Sequence, residues 1–142
     1  MRRRPGRSAR ADVVEVEISN RSGLEVDAAA AADHARRVLA AEGIEEGELG
    51  IAFVGPDESR ALKREHLGMD EATDVLSFPI DGLDELPHGV PRALGDVVIC
   101  PEVVGEEWRW PLVHGILHLL GLEHGEEMEL RERAILAAGA AP

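Results

Sequence analysis

At 142 residues, with 44% hydrophobic and 30% charged side chains, the chain is long enough for one domain with a sizeable core. Its single cysteine, Cys100, excludes an internal disulfide and fits a reducing compartment. A formal net charge of −13 argues against broad, non-specific affinity for nucleic acid, and the lack of a membrane-length apolar run or signal-peptide core makes the cytoplasm the expected location.

The basic residues are unevenly placed. Met1 to Arg10 holds five arginines and no acid, while the other ten basic residues face all 28 acids. Residues 1–11 are predicted to form a disordered basic arm able to contact phosphate, and residues 12–142 a single domain. Val13-Val-Glu-Val-Glu-Ile18 alternates with period two and predicts a half-buried strand. Asp27 is placed to cap an Ala-rich helix that runs to about Glu42 and stops at Gly43. Leu49–Val54 reads as a second strand, and Pro56 opens a helix towards Gly68 with Asp57 and Glu58 at its positive end. Thr73–Pro79 and Leu94–Cys100 read as a third and fourth strand, joined as a hairpin across a Gly/Pro/acid-rich loop, 81–92. The first three strands alternate with helices, which favours parallel crossovers. A last helix over about Glu126–Ala138 offers Met128, Leu130, Ile135 and Leu136 for packing. Aromatics make up only 3%, so the core falls to Leu, Val, Ile and Ala, with Cys100 as a small buried hydrophobe. The expected fold class is α/β (α+β): a single-layer mixed four-stranded sheet with helices packed on one face.

The chemistry concentrates in His114-Gly-Ile-Leu-His118-Leu-Leu-Gly121-Leu-Glu-His124. His114 and His118 are four apart, so on a helix they share one face, with Pro111 in the first turn. Gly121 suits a helix stop, after which the chain can turn His124 back to the same point. Three imidazoles leave one tetrahedral position open, the arrangement of catalytic rather than structural zinc. Zinc peptidases carry a Glu directly after the first histidine as general base; here that residue is Gly115, which weakens a peptidase reading. His34 and His66 are read as surface histidines and His88 as a loop residue, none of them a ligand.

Three motifs in order, Thr73-Asp-Val-Leu-Ser-Phe-Pro79, Leu94-Gly-Asp-Val-Val-Ile-Cys-Pro101 and His114-Gly-Ile-Leu-His118-Leu-Leu-Gly121-Leu-Glu-His124, resemble the YbeY family of bacterial zinc-dependent endoribonucleases. The resemblance spans roughly residues 12–138. It implies a metal-dependent single-strand endoribonuclease that matures ribosomal RNA, notably at the small-subunit 3′ end, and serves ribosome quality control. It further implies one Zn2+ per chain on His114, His118 and His124, and ribosomal RNA or the small subunit as partner. Thr73, Asp74, Ser77 and Asp96 are expected to line the cleft or to bond the histidine helix, and Glu123 to orient His124.

The chain departs from that pattern in three places. Leu122 and Glu123 replace the family's usual Tyr and Asp, Leu67 stands where many members carry an Arg, and the segment from Pro101 to His114 is short. Arg64, one turn before Leu67, is a candidate substitute. Two other readings stay open: a metal-stabilised RNA- or ribosome-associated module with little catalysis, and another zinc hydrolase, a peptidase or amidohydrolase.

Overall fold

The computed structural model describes residues 14–68, 74–105, 107–122 and 125–139, with side chains through residue 135. The predicted basic arm at 1–11, Thr73, Glu123 and His124 lie outside the described residues.

Local signals set most element ends. β1 (Val14–Arg21) sends Val14, Val16 and Ile18 into the core, as its alternation requires. In α1 (Ala28–Ala41) the Asp27 carboxylate accepts the Ala30 N–H at 3.0 Å, and Ala31, Ala35, Val38 and Leu39 form its buried stripe. β2 (Gly47–Val54) follows, then α2 (Pro56–Leu67), which begins on Pro56 and is capped by Gly68. β3 (Val75–Pro79) and β4 (Ala93–Ile99) flank the predicted loop, whose far end is held by the Ala93 N–H donating to Asp81 at 2.8 Å. The short segment after Cys100 holds a single helical turn, α3 (Pro101–Val104). α4 (Arg109–Leu119) carries His114 and His118, with Pro111 in its first turn, and α5 (Glu126–Gly139) is the last helix. Among the described residues no helix is long and apolar enough to cross a membrane.

The four strands form one mixed sheet in the order β1-β2-β4-β3. β1 and β4 each run parallel to β2, and β3 runs antiparallel to β4. The expected hairpin of the third and fourth strands is therefore present. The expectation of three parallel leading strands is not met, because β4 inserts between β2 and β3. Composition explains the exchange. β4 is buried at Leu94, Gly95 and Val97–Ile99, as a central strand must be, whereas β3 ends on Pro79, which lacks the N–H that a further neighbour would need.

α1, α4 and α5 cover one face over Leu49, Ile51, Phe53, Val97 and Ile99. Burying each of Leu112, Ile116 and Leu117 of α4 there contributes roughly 1.5–3 kcal/mol. Contrary to the one-face expectation, α2 lies on the other side: Leu62 packs on Val54, Leu76 and Val98, and the exposed His66 ring stacks edge-on against Phe78 with centroids 4.9 Å apart. Met128 and Ile135 of α5 are buried and Cys100 is enclosed as expected, but Leu130 points outward and is 58% exposed. The Leu136 side chain lies outside the described residues.

His34 is also a correction, since it is buried against the edge of Trp108 rather than on the surface. Burial lowers its pKa below 6.5; a hydrogen bond to the Arg109 backbone opposes this, while the charges of Arg109 and Arg37 add to it. Among the described residues its Nε2 has no hydrogen-bond partner. The unfolded chain thus takes up a proton near pH 6.5 that the folded chain resists. Stability is full above that pH and falls as pH drops from 6.5 towards the lowered folded value. Urea unfolding at pH 7.5 and 5.5 should show a smaller loss on acidification in His34→Leu than in the wild type; equal losses would remove this account of His34.

Candidate functional site

The site begins with a close approach of backbone. α4 crosses β3 and β4 at Gly115, where an added Cβ would stand 2.7 Å from Val97 Cγ1 and 3.1 Å from both Ser77 Oγ and Val75 Cγ2. Any side chain there would have to displace Val97, so the absence of a Glu after the first histidine has a packing cause. The Ser77 hydroxyl fixes the crossing by donating to the Gly115 carbonyl at 2.9 Å. Leu112, Val113, Ile116, Leu117 and Leu119 are buried on the remaining sides of the helix. One stripe is left open: Trp110, His114 and His118, each four residues from the next.

The His114 and His118 rings meet edge to face with centroids 4.8 Å apart. His114 Nδ1 is 2.6 Å from Glu132 Oε2, and the Glu132 side chain is only 3% exposed. An ionised carboxylate can only accept, so in the neutral ring the proton belongs on Nδ1 and Nε2 carries the lone pair. α4 ends just beyond His118. The Gly121 N–H bonds the His118 carbonyl and the Leu122 N–H bonds the Leu117 carbonyl, both at 3.0 Å, with Gly121 at φ +98°. This Schellman turn favours a residue without a Cβ at Gly121 and ends the helix there.

The two histidines open into a cleft of about 680 Å³ between α4, β3 and the end of α2. Asp74 and Ser77 line it, with Leu67, Phe78, Pro79, Trp110 and Leu122 around them. Asp96 does not join them. Ser77 pairs with Val97 across the β3–β4 ladder and Asp96 with Phe78, so Asp96 and Ser77 face opposite sides of the sheet. The Asp96 carboxylate instead lies over Gly50, in a second hollow walled by Glu17, Arg21 and Glu58. Arg64 is exposed on α2, and the α2 residue at the cleft is Leu67. Among the described residues no three His, Cys, Asp or Glu side chains converge as a metal cage. His114 and His118 supply two members of the predicted set; His124, with Glu123 and Thr73, lies outside the described residues.

Glu132 was absent from the residues that the sequence singled out. It stands among Glu126, Glu127 and Glu129, which resemble it in a linear reading. The available signal was its phase: Met128, Glu132 and Ile135 fall at i, i+4 and i+7, a buried stripe with one carboxylate in it. A charge at a core position calls for a partner, and His114 is that partner.

Comparison with known proteins then decides the family. The model of the family described as Endoribonuclease YbeY matches residues 16–138. The chain belongs to the YbeY family. It is 46% identical to Endoribonuclease YbeY of Halorhodospira halophila, over 68% of this chain and 73% of that one. Its identity to the Salinispora tropica relative is 36%, covering 88% and 92% of the two chains, and to that of Beutenbergia cavernae 41%, covering 84% and 89%. A Thermotoga maritima protein of known solution structure shares the fold, with a TM-score of 0.53 at 22% identity over 85% of this chain and 86% of that one. YbeY proteins are hydrolases of RNA processing.

The Gly115 crossing makes a direct prediction. Gly115→Ala gains up to about 1 kcal/mol of helix propensity but overpacks the Val97, Ser77 and Val75 side chains by about 1–3 kcal/mol, so the net change is destabilising. Chemical denaturation should show a lower midpoint at unchanged slope, and a variant as stable as wild type would mean that the helix does not sit this close.

Proposed function

We propose that this chain is a zinc-dependent single-strand endoribonuclease that acts in the cytoplasm in ribosomal RNA maturation, at the small-subunit 3′ end, and in ribosome quality control. Its ligands are His114, His118 and His124, and its partner is ribosomal RNA within or beside the small subunit. The observation that carries the reading is the pair of imidazoles facing one cleft, one of them oriented by a buried carboxylate. Family membership supports it independently.

The donor set suits zinc. The His114 Nδ1–H faces the Glu132 carboxylate, His118 lies one turn away on the same stripe, and His124 follows three residues after Gly121 in the sequence. When bound, zinc supplies Lewis acidity, which counters charge on a phosphate and makes water acidic enough to ionise near neutral pH. The chain's own residues position the reaction. Glu132 keeps the His114 ring from rotating. Ser77 locks α4 to β3, so the histidines and the cleft wall move as one body. Leu67, Pro79 and Leu122 give the cleft an apolar wall against which a strand can lie.

Cleavage of a single-stranded small-subunit RNA fragment is the test, run beside casein. The wild type should cut RNA and leave casein intact, and His114→Ala should lose cutting while keeping its circular-dichroism spectrum. A wild type that cuts nothing, yet gains thermal stability from zinc, would favour the metal-stabilised module, towards which the uncharged Leu67 at the cleft already leans. A 2′,3′-cyclic phosphate with a 5′-hydroxyl on the products would identify the 2′-hydroxyl as nucleophile, and a 3′-hydroxyl with a 5′-phosphate would identify water. Glu132→Leu should weaken zinc binding by about 10–100-fold in competition with a chromophoric chelator, with Glu132→Gln less affected. In zinc-free protein, nitrogen-15 spectra should place the His114 proton on Nδ1; a proton on Nε2 would deny Glu132 its role.

A further inference from the structure

The open stripe of α4 holds one residue that the proposed chemistry does not use. Trp110 lies one helical turn before His114, about 6 Å along the axis. It is 49% exposed and lines the same cleft as the two histidines. The neighbouring Trp108 is buried at 7% exposure, so the two tryptophans have separate tasks. Trp108 is a core residue, with the Arg109 guanidinium 4.5 Å from its ring centroid. A large indole left half in water beside a candidate active site lacks a packing explanation.

The rest of the cleft wall indicates what the indole can bind. Asp74 is its acid, Leu67, Pro79 and Leu122 are apolar, and among the described residues lining it there is no Lys or Arg. With a net charge of −13, this chain draws little attraction for phosphate from its surface at large. A strand entering such a cleft gains most from the faces of its bases, because every nucleobase presents a π-surface to an aromatic ring. Unpaired bases alone can do so, since those of a duplex are already stacked. We infer that Trp110 is the base-stacking platform of this cleft, on which one unpaired nucleobase rests beside the phosphate presented to His114 and His118. The inference rests on the endoribonuclease reading for its ligand class, and it makes Trp110 a binding residue that selects single-stranded over paired RNA.

The test uses full-length, zinc-loaded protein carrying Trp108→Phe, which leaves Trp110 as the only indole. Stopped-flow mixing with a single-stranded 12-nucleotide RNA should quench its fluorescence before cleavage accumulates, while the matched duplex should leave it unchanged. Trp110→Leu keeps an apolar surface without a ring and should weaken binding of the single strand by about 5- to 100-fold, with Trp110→Phe in between. A series of strands with one abasic position each supplies the partner for a double-mutant cycle. At one position the abasic strand should bind wild type and Trp110→Leu within about twofold of each other. The ratio between the two proteins should also hold from 50 to 500 mM salt, since stacking neutralises no phosphate. Saturating RNA that leaves Trp110 fluorescence unchanged, or a Trp110→Leu loss that no abasic position removes, would overturn the inference and leave the indole as a protein contact. Quenching without cleavage would sink the nuclease reading and keep the platform; cleavage by Trp110→Leu with unchanged KM would do the reverse.

Discussion

The architecture depends on one contact, the direct seating of α4 on β3 and β4 at Gly115. A helix normally stands off a sheet by the thickness of its side chains. Here the missing Cβ lets backbone approach the Val97, Ser77 and Val75 side chains, and the Ser77 hydroxyl ties the Gly115 carbonyl in place. This depth turns α4 so that its apolar residues enter the core and its remaining stripe faces the gap beside β3. His114 and His118 follow from that rotation rather than from any preference of their own. A side chain at 115 would lift the helix and alter the spacing of everything on the stripe.

The second constraint acts from the other side. α5 returns across α4 and presents Glu132, a buried acid whose cost is offset by the His114 ring. The Arg131 guanidinium grips the Glu42 carboxylate at the end of α1, at 2.7 and 2.9 Å, which helps hold α5 in register. Sheet, α4 and α5 therefore form a stack in which a strand hydroxyl fixes the helix and a helix carboxylate fixes the imidazole. Rigid elements supply each partner, as a site that must hold its geometry requires.

Elements with chemical end signals were legible in the sequence. Asp27 capped the helix it was expected to cap, Pro56 opened the next, and Gly43, Gly68 and Gly121 closed three. The four strands were found, because alternation and apolar runs are local properties. Their order was not, since the insertion of β4 between β2 and β3 depends on burial on both faces, which becomes visible only when the helices are in place. Register decided the rest. Asp96 and Ser77 were expected near one cleft, but Ser77 sits opposite Val97 and so leaves Asp96 on the far side. Glu132 and His114 are 18 residues apart on two helices, and nothing local announced their meeting. His34 was misplaced for a similar reason, its burial being set by Trp108 from another element.

The central claim is that His114 and His118, with His124, hold one ion in an open cleft. X-ray absorption at the zinc edge of the loaded full-length protein tests it most directly. Three imidazoles and a light oxygen donor at about 2.0–2.1 Å are expected, with no sulfur, and with one imidazole lost when His124 is changed to Ala. A sulfur shell, which would draw in Cys100, or a spectrum indifferent to removal of any one of these histidines, would contradict it.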